Sequence, residues 1–472
     1  MSEAVLDLET ALASLPAPWP EDLLPAIRAQ LAESRRKLVV LDDDPTGTQT
    51  VHQTPVLTTW TVDALAAELA APGPVFYVLT NSRSLPLQDA QALNAEIGQN
   101  LAAAARAAQR DFGVVSRSDS TLRGHYPGEV EALTQALGMR VDATLLIPFF
   151  LEGGRYTLNN IHYVAEGDRL TPAAQTPFAQ DAAFGYRASY LPAWVEEKTG
   201  GQVPADAVAT ISLSDLRQGG PDVVCAQLMA LQDNTVCVVN AAALRDLEVL
   251  VAALLRAEAA GKRFLYRTAA SFVQVRAGLA ARPLLTAGEL GLAGEGGALF
   301  VVGSYVPKTT GQVNALLAQP GLLHVEVDVP ALLDQDRRAG EIARARVQAA
   351  TALAAGQDVV LATSRTLVTG ADAASSLAIG QQVSAALVEI VGGLGTAPRY
   401  LVAKGGITAS DIATKALGIR RALVLGQILP GVPVWQTGPE CRFPGLAYVV
   451  FPGNVGGADA LVEVRNRLQS RN

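Results

Sequence analysis

The chain has 472 residues, 49% of them hydrophobic, and carries 37 Lys and Arg against 45 Asp and Glu for a net charge of -8. Such a length and apolar content suit two or more domains with a large core, while the acidic balance argues against nucleic acid or a membrane surface as a partner. Three scattered cysteines without a CxxC pair support neither a disulfide framework nor a zinc site, and an acidic N-terminus with no membrane-length apolar run leads us to expect a cytoplasmic protein.

Residues 1–36 read as a helical extension broken in its middle by Pro16, Pro18 and Pro20. From there on, short β-branched runs alternate with long Ala/Leu-rich helical patterns, the signature of an α/β fold with mainly parallel sheets. Strands are expected at KLVVLD (37–42), PVFYVLT (74–80), FGVVSRSD (112–119) and ATLLIPFF (143–150), and then at TVCVVNAA and KRFLYRTA. The stretch 285–298 is glycine-rich and without periodicity, and is the expected linker between a first domain at 37–284 and a second at 299–472. The second domain repeats the alternation, with strands at ALFVVGS, HVEVDV, QDVVLATS, RYLVAKGG, RALVLGQ and AYVVFPGN.

Ligands of open α/β sheets sit beyond the carboxyl ends of the strands, and in the first domain those ends are unusually polar. The first strand runs into Asp42, Asp43, Asp44, Thr46 and Gly47, and the second into Thr80, Asn81, Ser82 and Arg83. The third supplies Arg117, Asp119, Ser120, Thr121, Arg123, Gly124 and His125, and the fourth supplies Glu152, Gly153, Gly154, Arg155 and Thr157. If these strands are neighbours, one crevice holds several arginines facing several carboxylates. A small anionic, hydroxylated ligand fits that chemistry, because guanidinium forks grip a carboxylate and aspartates accept from hydroxyls. A solvated rim of ordinary ion pairs is the competing reading; it explains one such strand end as well, and four in succession less well.

The second domain has different strand ends. Lys404, Gly405 and Gly406 stand between a strand and a helix for which Thr408 or Ser410 is the expected N-cap, and Gly453, Asn454, Gly456 and Gly457 repeat the arrangement. Glycines at such turns let the backbone approach a phosphate, although each turn alone is equally at home as plain structure. Ser304 follows the strand ALFVVG in the same way. There is no GxxxxGK[ST], no early GxGxxG, no HExxH and no GxSxG, and the four histidines are too dispersed to suggest a metal site.

In order along the chain, DDDPTGTQ, SRSDSTLRGHYPGE, PFFLEGGRYTLNNIHYV with LTPAAQTPFAQD, VVGSYVPKT, VAKGGITASD and FPGNVGGAD resemble the motif series of the four-carbon acid sugar kinase family. The resemblance implies two α/β domains with a ligand cleft between them, the N-terminal one binding a tetronate-type sugar acid and the C-terminal one binding ATP. The implied reaction phosphorylates a hydroxyl of a threonate, erythronate or 3-oxo-tetronate type acid. On this footing Asp43 and Asp44 orient the substrate hydroxyls, and one of them accepts the proton of the attacking group. Thr46, Gly47, Asn81, Arg83, Asp119, Ser120, Arg123 and Arg155 would bind the sugar acid, with Arg123 and Arg155 on its carboxylate. Ser304, Lys404, Gly405, Gly406, Ile407, Thr408, Gly453 and Asn454 would line the nucleotide site, with Mg2+ bridging the ATP phosphates and held mainly by nucleotide and water. Two other classes are weighed against this one. The intact glycine turns argue against a non-catalytic sugar-acid binder, and the missing dinucleotide fingerprint argues against a nicotinamide-dependent oxidoreductase. The exact acid, the hydroxyl phosphorylated and the oligomeric state stay open, a homodimer being one option.

Overall fold

A computed structural model of the chain describes residues 3–34, 36–292, 296–303, 307–365, 368, 373–453 and 455–469. Two compact units divide it, one comprising Met1–Val51 and Thr59–Ala281, the other His52–Thr58 and Arg282–Asn472. Residues 52–58, which the sequence-based boundaries leave inside the first domain, thus belong to the second unit. Leu285, at the start of the glycine-rich stretch, is core rather than linker: it is buried, and its N–H donates to Gln427 O at 2.7 Å.

In chain order the strands are β1 (Leu6–Asp7), β2 (Lys37–Asp42), β3 (Thr54–Leu57), β4 (Val75–Leu79), β5 (Phe112–Arg117), β6 (Ala143–Ile147), β7 (Arg155–Leu158), β8 (Ile161–Glu166), β9 (Arg169–Pro172), β10 (Ala209–Ile211), β11 (Thr235–Val239), β12 (Phe264–Thr268), β13 (Leu299–Val302), β14 (Leu322–Val327), β15 (Asp358–Thr363), β16 (Tyr400–Lys404), β17 (Arg421–Leu429), β18 (Val432–Thr437) and β19 (Ala447–Phe451). Every expected strand is present.

The main sheet of the first unit runs β10-β11-β6-β12-β5-β2-β4, and all its pairings are parallel. Its strands are mostly apolar, as expected of a parallel sheet covered on both faces; β2, β4 and β5 are buried at every position. Two of the covering helices, Leu87–Ala108 and Gly128–Leu137, pack so closely at Gly98 that a Cβ there would lie 2.8 Å from the Ala136 Cβ. From β2 the chain moves outward to β4 and then returns to the other side of β2 as β5, so the order reverses between β2 and β5. Such a switch point opens a crevice at the strand ends. A separate antiparallel sheet, β1-β9-β8-β7, carries the N-terminus as its edge strand. The extension is therefore not helical throughout: helices span Leu8–Ala13 and Leu24–Glu33, and Leu6 pairs with Leu170.

In the second unit the order is β3-β17-β18-β19-β16-β13-β15-β14. Pairings from β3 to β19 are antiparallel and the remainder parallel, with the order reversing between β13 and β16. Phe300 and Tyr400 meet edge to face in its core at 6.1 Å. No described helix is long and apolar enough to cross a membrane.

Candidate functional site

β2 leads from apolar core directly into Asp42 and Asp43, which are only 1% and 3% exposed. Buried carboxylates cost several kcal/mol unless compensated, and here two neighbouring strands supply arginines. Arg117, the register partner of Asp42 on β5, holds Nη1 3.1 Å from Asp42 Oδ1 and 3.9 Å from Asp43 Oδ1. Arg83, in the turn after β4, is ion-paired with Asp44 and lies 4.0 Å from Asp43 Oδ1 and 3.7 Å from Asp119 Oδ1. Behind Asp43 the network continues inward. Ser118 Oγ donates to Asp43 Oδ2 at 2.6 Å, Arg267 Nη2 donates to Ser118 Oγ at 2.8 Å, and Arg267 Nη1 lies 3.2 Å from Glu129 Oε2.

The three aspartates differ in proton affinity because their surroundings differ. Burial pushes Asp42 up to about 7 against the pull of Arg117. Burial also raises Asp43, against Arg83. Burial acts on Asp44 as well, but Arg83 and two hydrogen bonds from Thr46 outweigh it and hold its carboxyl below the ordinary range. Those bonds run from Thr46 N at 2.8 Å and Thr46 Oγ1 at 2.5 Å to Asp44 Oδ1, which caps the short turn Pro45–Thr48. Among the described residues, Asp43 Oδ1 and Asp42 Oδ2 have no hydrogen-bond partner.

The loop after β5 forms the next wall. Asp119 Oδ2 accepts from Arg123 Nε at 2.6 Å and from Thr121 Oγ1; burial opposes its ionisation, but Arg83 and Arg123 hold it far below the usual carboxylate range. Gly124 takes φ +130°, and a Cβ there would lie 2.6 Å from Ser118 Oγ and 2.8 Å from Arg267 Nη2, so only glycine closes this turn. Two side chains pin the loop backbone: Tyr186 Oη donates to Thr121 O at 2.7 Å, and His162 Nε2 to Ser120 O at 2.7 Å. Since a carbonyl only accepts, His162 carries its hydrogen on Nε2, and Nδ1 accepts from Thr157 Oγ1 at 3.0 Å. Burial pushes that imidazole down to about 4.

Phe178 gathers two arginines, with Arg123 Cζ 5.1 Å and Arg155 Cζ 5.6 Å from its ring centre. They are not equivalent. Arg123 is occupied by Asp119, with Asp181 Oδ2 3.7 Å from its Nη1. The Arg155 guanidinium makes no hydrogen bond or ion pair among the described residues, its Nε is buried without a partner, and burial lowers its proton affinity.

In the second unit Lys404 ends β16 fully buried, Nζ donating to Pro452 O at 2.8 Å and Gly453 O at 3.2 Å, 4.3 Å from the Phe451 ring centre. Burial, aided by Lys308, pushes Lys404 down to about 7. Gly405 takes φ +105° and is itself the N-cap of the helix Gly406–Asp411. Thr408 and Ser410 therefore lie within the helix and do not cap it. The reason is tertiary: Gly405 N donates to Phe451 O at 2.8 Å, which turns the chain into the helix at once. A Cβ on Gly303, after β13, would lie 2.6 Å from Thr408 Oγ1, while Ile407 is 58% exposed. Gly453 has open space where a side chain would project, and Gln312 Nε2 fastens the following turn through Gly457 O at 2.8 Å. Ser304 and Asn454 lie outside the described residues.

Asp43, Asp44, Thr46, Arg83, Asp119 and Arg123 thus form one contact network, with Gly47 packed on Asp42 and Arg155 joined through Phe178. Ser120 contributes through its backbone, and Asn81, at φ +52°, donates to Ser84 Oγ at 3.2 Å. Sequence reasoning passed over Ser118, Glu129, Phe178 and Arg267. Arg267 left one signal, a charge inside the otherwise apolar strand FLYRT. β12 also lies between β5 and β6, so the third and fourth polar strand ends are not adjacent.

Two family models match the chain: a sugar-binding N-terminal domain over residues 38–276, and a nucleotide-binding C-terminal domain over residues 299–461. Among solved structures, a Salmonella typhimurium LT2 protein provisionally described as a tRNA synthase is similar at TM-score 0.65 and 19% identity, covering 92% of this chain and 100% of that one. A Haemophilus influenzae protein from a domain family of unknown function is similar at TM-score 0.60 and 18% identity, covering 91% and 100%. At these identities the likeness is one of fold. No curated protein sequence matches the chain.

Proposed function

The chain belongs to the four-carbon acid sugar kinase family, with its sugar-binding and nucleotide-binding domains, and from that premise we propose that it transfers the γ-phosphate of ATP to a hydroxyl of a four-carbon sugar acid. The observation that carries this reading is a pairing of opposite chemistry in one contact network: Arg155, a half-buried guanidinium without an ion pair among the described residues, and Asp43, a buried carboxylate with one oxygen free of hydrogen bonds among them. The first suits a substrate carboxylate and the second a substrate hydroxyl.

In this reading Arg155 takes the sugar-acid carboxylate, with Arg123 beside it held by Asp119. Asp43 is the base. Its raised proton affinity lets it accept the hydroxyl proton as the oxygen attacks the γ-phosphorus and the bond to the leaving ADP breaks. Asp44, kept ionised by Arg83 and Thr46, orients the neighbouring hydroxyl and stays charged. Ser118 and Arg267 fix Asp43 from behind, leaving Oδ1 for the substrate. Lys404 and the Gly405-Gly406 and Gly453 turns receive the nucleotide phosphates. Mg2+ would be carried in by the nucleotide and its water. Bound there, it would neutralise phosphate charge.

A panel of threonate, erythronate and 3-oxo-tetronate type acids, assayed with Mg-ATP by coupled ADP release, tests the proposal. Turnover with one or more of these acids is expected. Tight binding of an acid without ADP release would instead mark the protein as a sugar-acid binder.

A further inference from the structure

The N-terminal extension has no part in the reaction above, yet its helix Leu24–Glu33 walls a cavity of about 370 Å3 in the first unit. The cavity lies at the amino ends of the strands. Lys37 lines it at the start of β2, and the aspartates stand at the other end of that strand, about 17 Å away at the usual rise per residue.

Among the described residues its lining is cationic and contains no acidic residue, in a protein whose net charge is -8. Of the four cations that line it among the described residues, Arg28 and Arg110 have donor capacity to spare. Arg28 spends Nε on Gly278 O at 2.7 Å, and its terminal nitrogens make no hydrogen bond among the described residues. Arg110 forms no side-chain hydrogen bond or ion pair with any described residue. Arg36 has a buried Nε without a hydrogen-bond partner but is already ion-paired, with Asp111 at 3.8 Å and Glu258 at 3.4 Å, and adds positive charge to the wall rather than a free fork. Lys37 is used differently. Its Nζ donates to Ala71 O at 2.9 Å and to Glu68 O, covering the carbonyl end of the helix Val62–Ala70, which would otherwise repel an anion. The volume is in the range of small-molecule sites, and unspent guanidinium forks match phosphate oxygens two at a time.

We propose that this cavity is a second ligand site, for a small multiply charged anion of the phosphate-ester class, gripped by Arg28 and Arg110 with Arg36 beside them, and separate from the sugar-acid and nucleotide sites.

Calorimetric titration of the full chain with pyrophosphate tests this. Binding is expected in the parent, at least about tenfold weaker in the Arg28→Ala/Arg110→Ala double variant, and undetectable in Arg110→Glu. Arg155→Ala and Lys404→Met, which alter the two sites of the proposed reaction, should bind pyrophosphate at this cavity as the parent does. The Arg28/Arg110 variant should still unfold cooperatively, its melting temperature lowered only by the loss of the Arg28–Gly278 hydrogen bond. No heat with the parent, equal affinity in the double variant, or loss of binding in Lys404→Met or Arg155→Ala instead, would overturn the proposal whatever the sugar-acid assay gives.

Discussion

The carboxylate of Asp42 fills the space in which Gly47 would carry a side chain: a Cβ on Gly47 would lie 2.1 Å from Asp42 Oδ2 and 2.2 Å from Oδ1. Glycine lets the turn Pro45–Thr48 fold back over the end of β2, and that fold seats Thr46 on Asp44. Gly47→Ala forces the buried Asp42–Arg117 pair or the turn to move. We expect a loss of about 1–3 kcal/mol in urea denaturation, as for other overpacked sites, together with reduced turnover. A variant as stable as the parent would mean that the turn is looser than this contact implies.

Asp43→Asn should lower turnover roughly a hundredfold or more while ATP binding stays nearly unchanged. Asp44→Asn should do likewise, by releasing Arg83 and the Thr46 cap. Steady-state kinetics with calorimetry of ATP binding separates the two effects; parental turnover in both variants would remove these residues from the mechanism.

The pH profile reports on the cluster around Asp43, which faces Arg83, Arg117, Arg267, Glu129 and Ser118. The base must be ionised, so kcat/KM should fall as pH drops through its raised value. Arg267 favours the carboxylate; Arg267→Met should therefore move this acid limb to higher pH, and Arg267→Lys should restore it in part. An unmoved limb in Arg267→Met would limit Arg267 to a packing role.

Burial pushes His162 down to about 4 in the folded chain from an ordinary value of 6.5. Between these values the unfolded chain binds the extra proton, so the stability linked to His162 is complete above about pH 6.5 and is lost as pH falls toward 4, about 3 kcal/mol in all. His162→Asn, which keeps a donor and an acceptor, should lose less stability than the parent between pH 7 and 4.5. Parallel denaturation curves at the two pH values for parent and variant would contradict the neutral, buried imidazole.

Lys404 is pushed down to about 7, so most of the free protein carries it uncharged at pH 8. A phosphate at Nζ favours the ammonium, so ATP binding at pH 8 should take up protons, seen as buffer-dependent heats, and should weaken toward pH 9. Lys404→Met should abolish the uptake. Gly406→Val should weaken ATP before it weakens the sugar acid, because a side chain there obstructs the approach of phosphate to the backbone; unaltered ATP binding by a folded Gly406→Val would remove that turn from the site.

Much of this was legible in the sequence because it is decided locally. An apolar run ending in DDDPTG announces a buried strand with a polar, turning end, and glycines after VAK and VFP announce tight strand-to-helix turns whatever surrounds them. The family motifs lie in these same strand ends. What depends on partners distant in sequence was not legible. Nothing near residue 54 says that TPVL pairs antiparallel with Arg421–Val424, and nothing near residue 267 says that β12 enters between β5 and β6 and brings Arg267 behind Asp43. Gly405 rather than Thr408 caps its helix because Phe451, 46 residues on, supplies the acceptor that fixes the turn. Arg123 and Arg155 look alike in the sequence; which of them keeps a free guanidinium is decided by where Asp119 lands. Local backbone preference and apolar period are short-range properties of the chain, whereas strand order, burial of charge and the partner of each arginine come from contacts made only once the sheet has assembled.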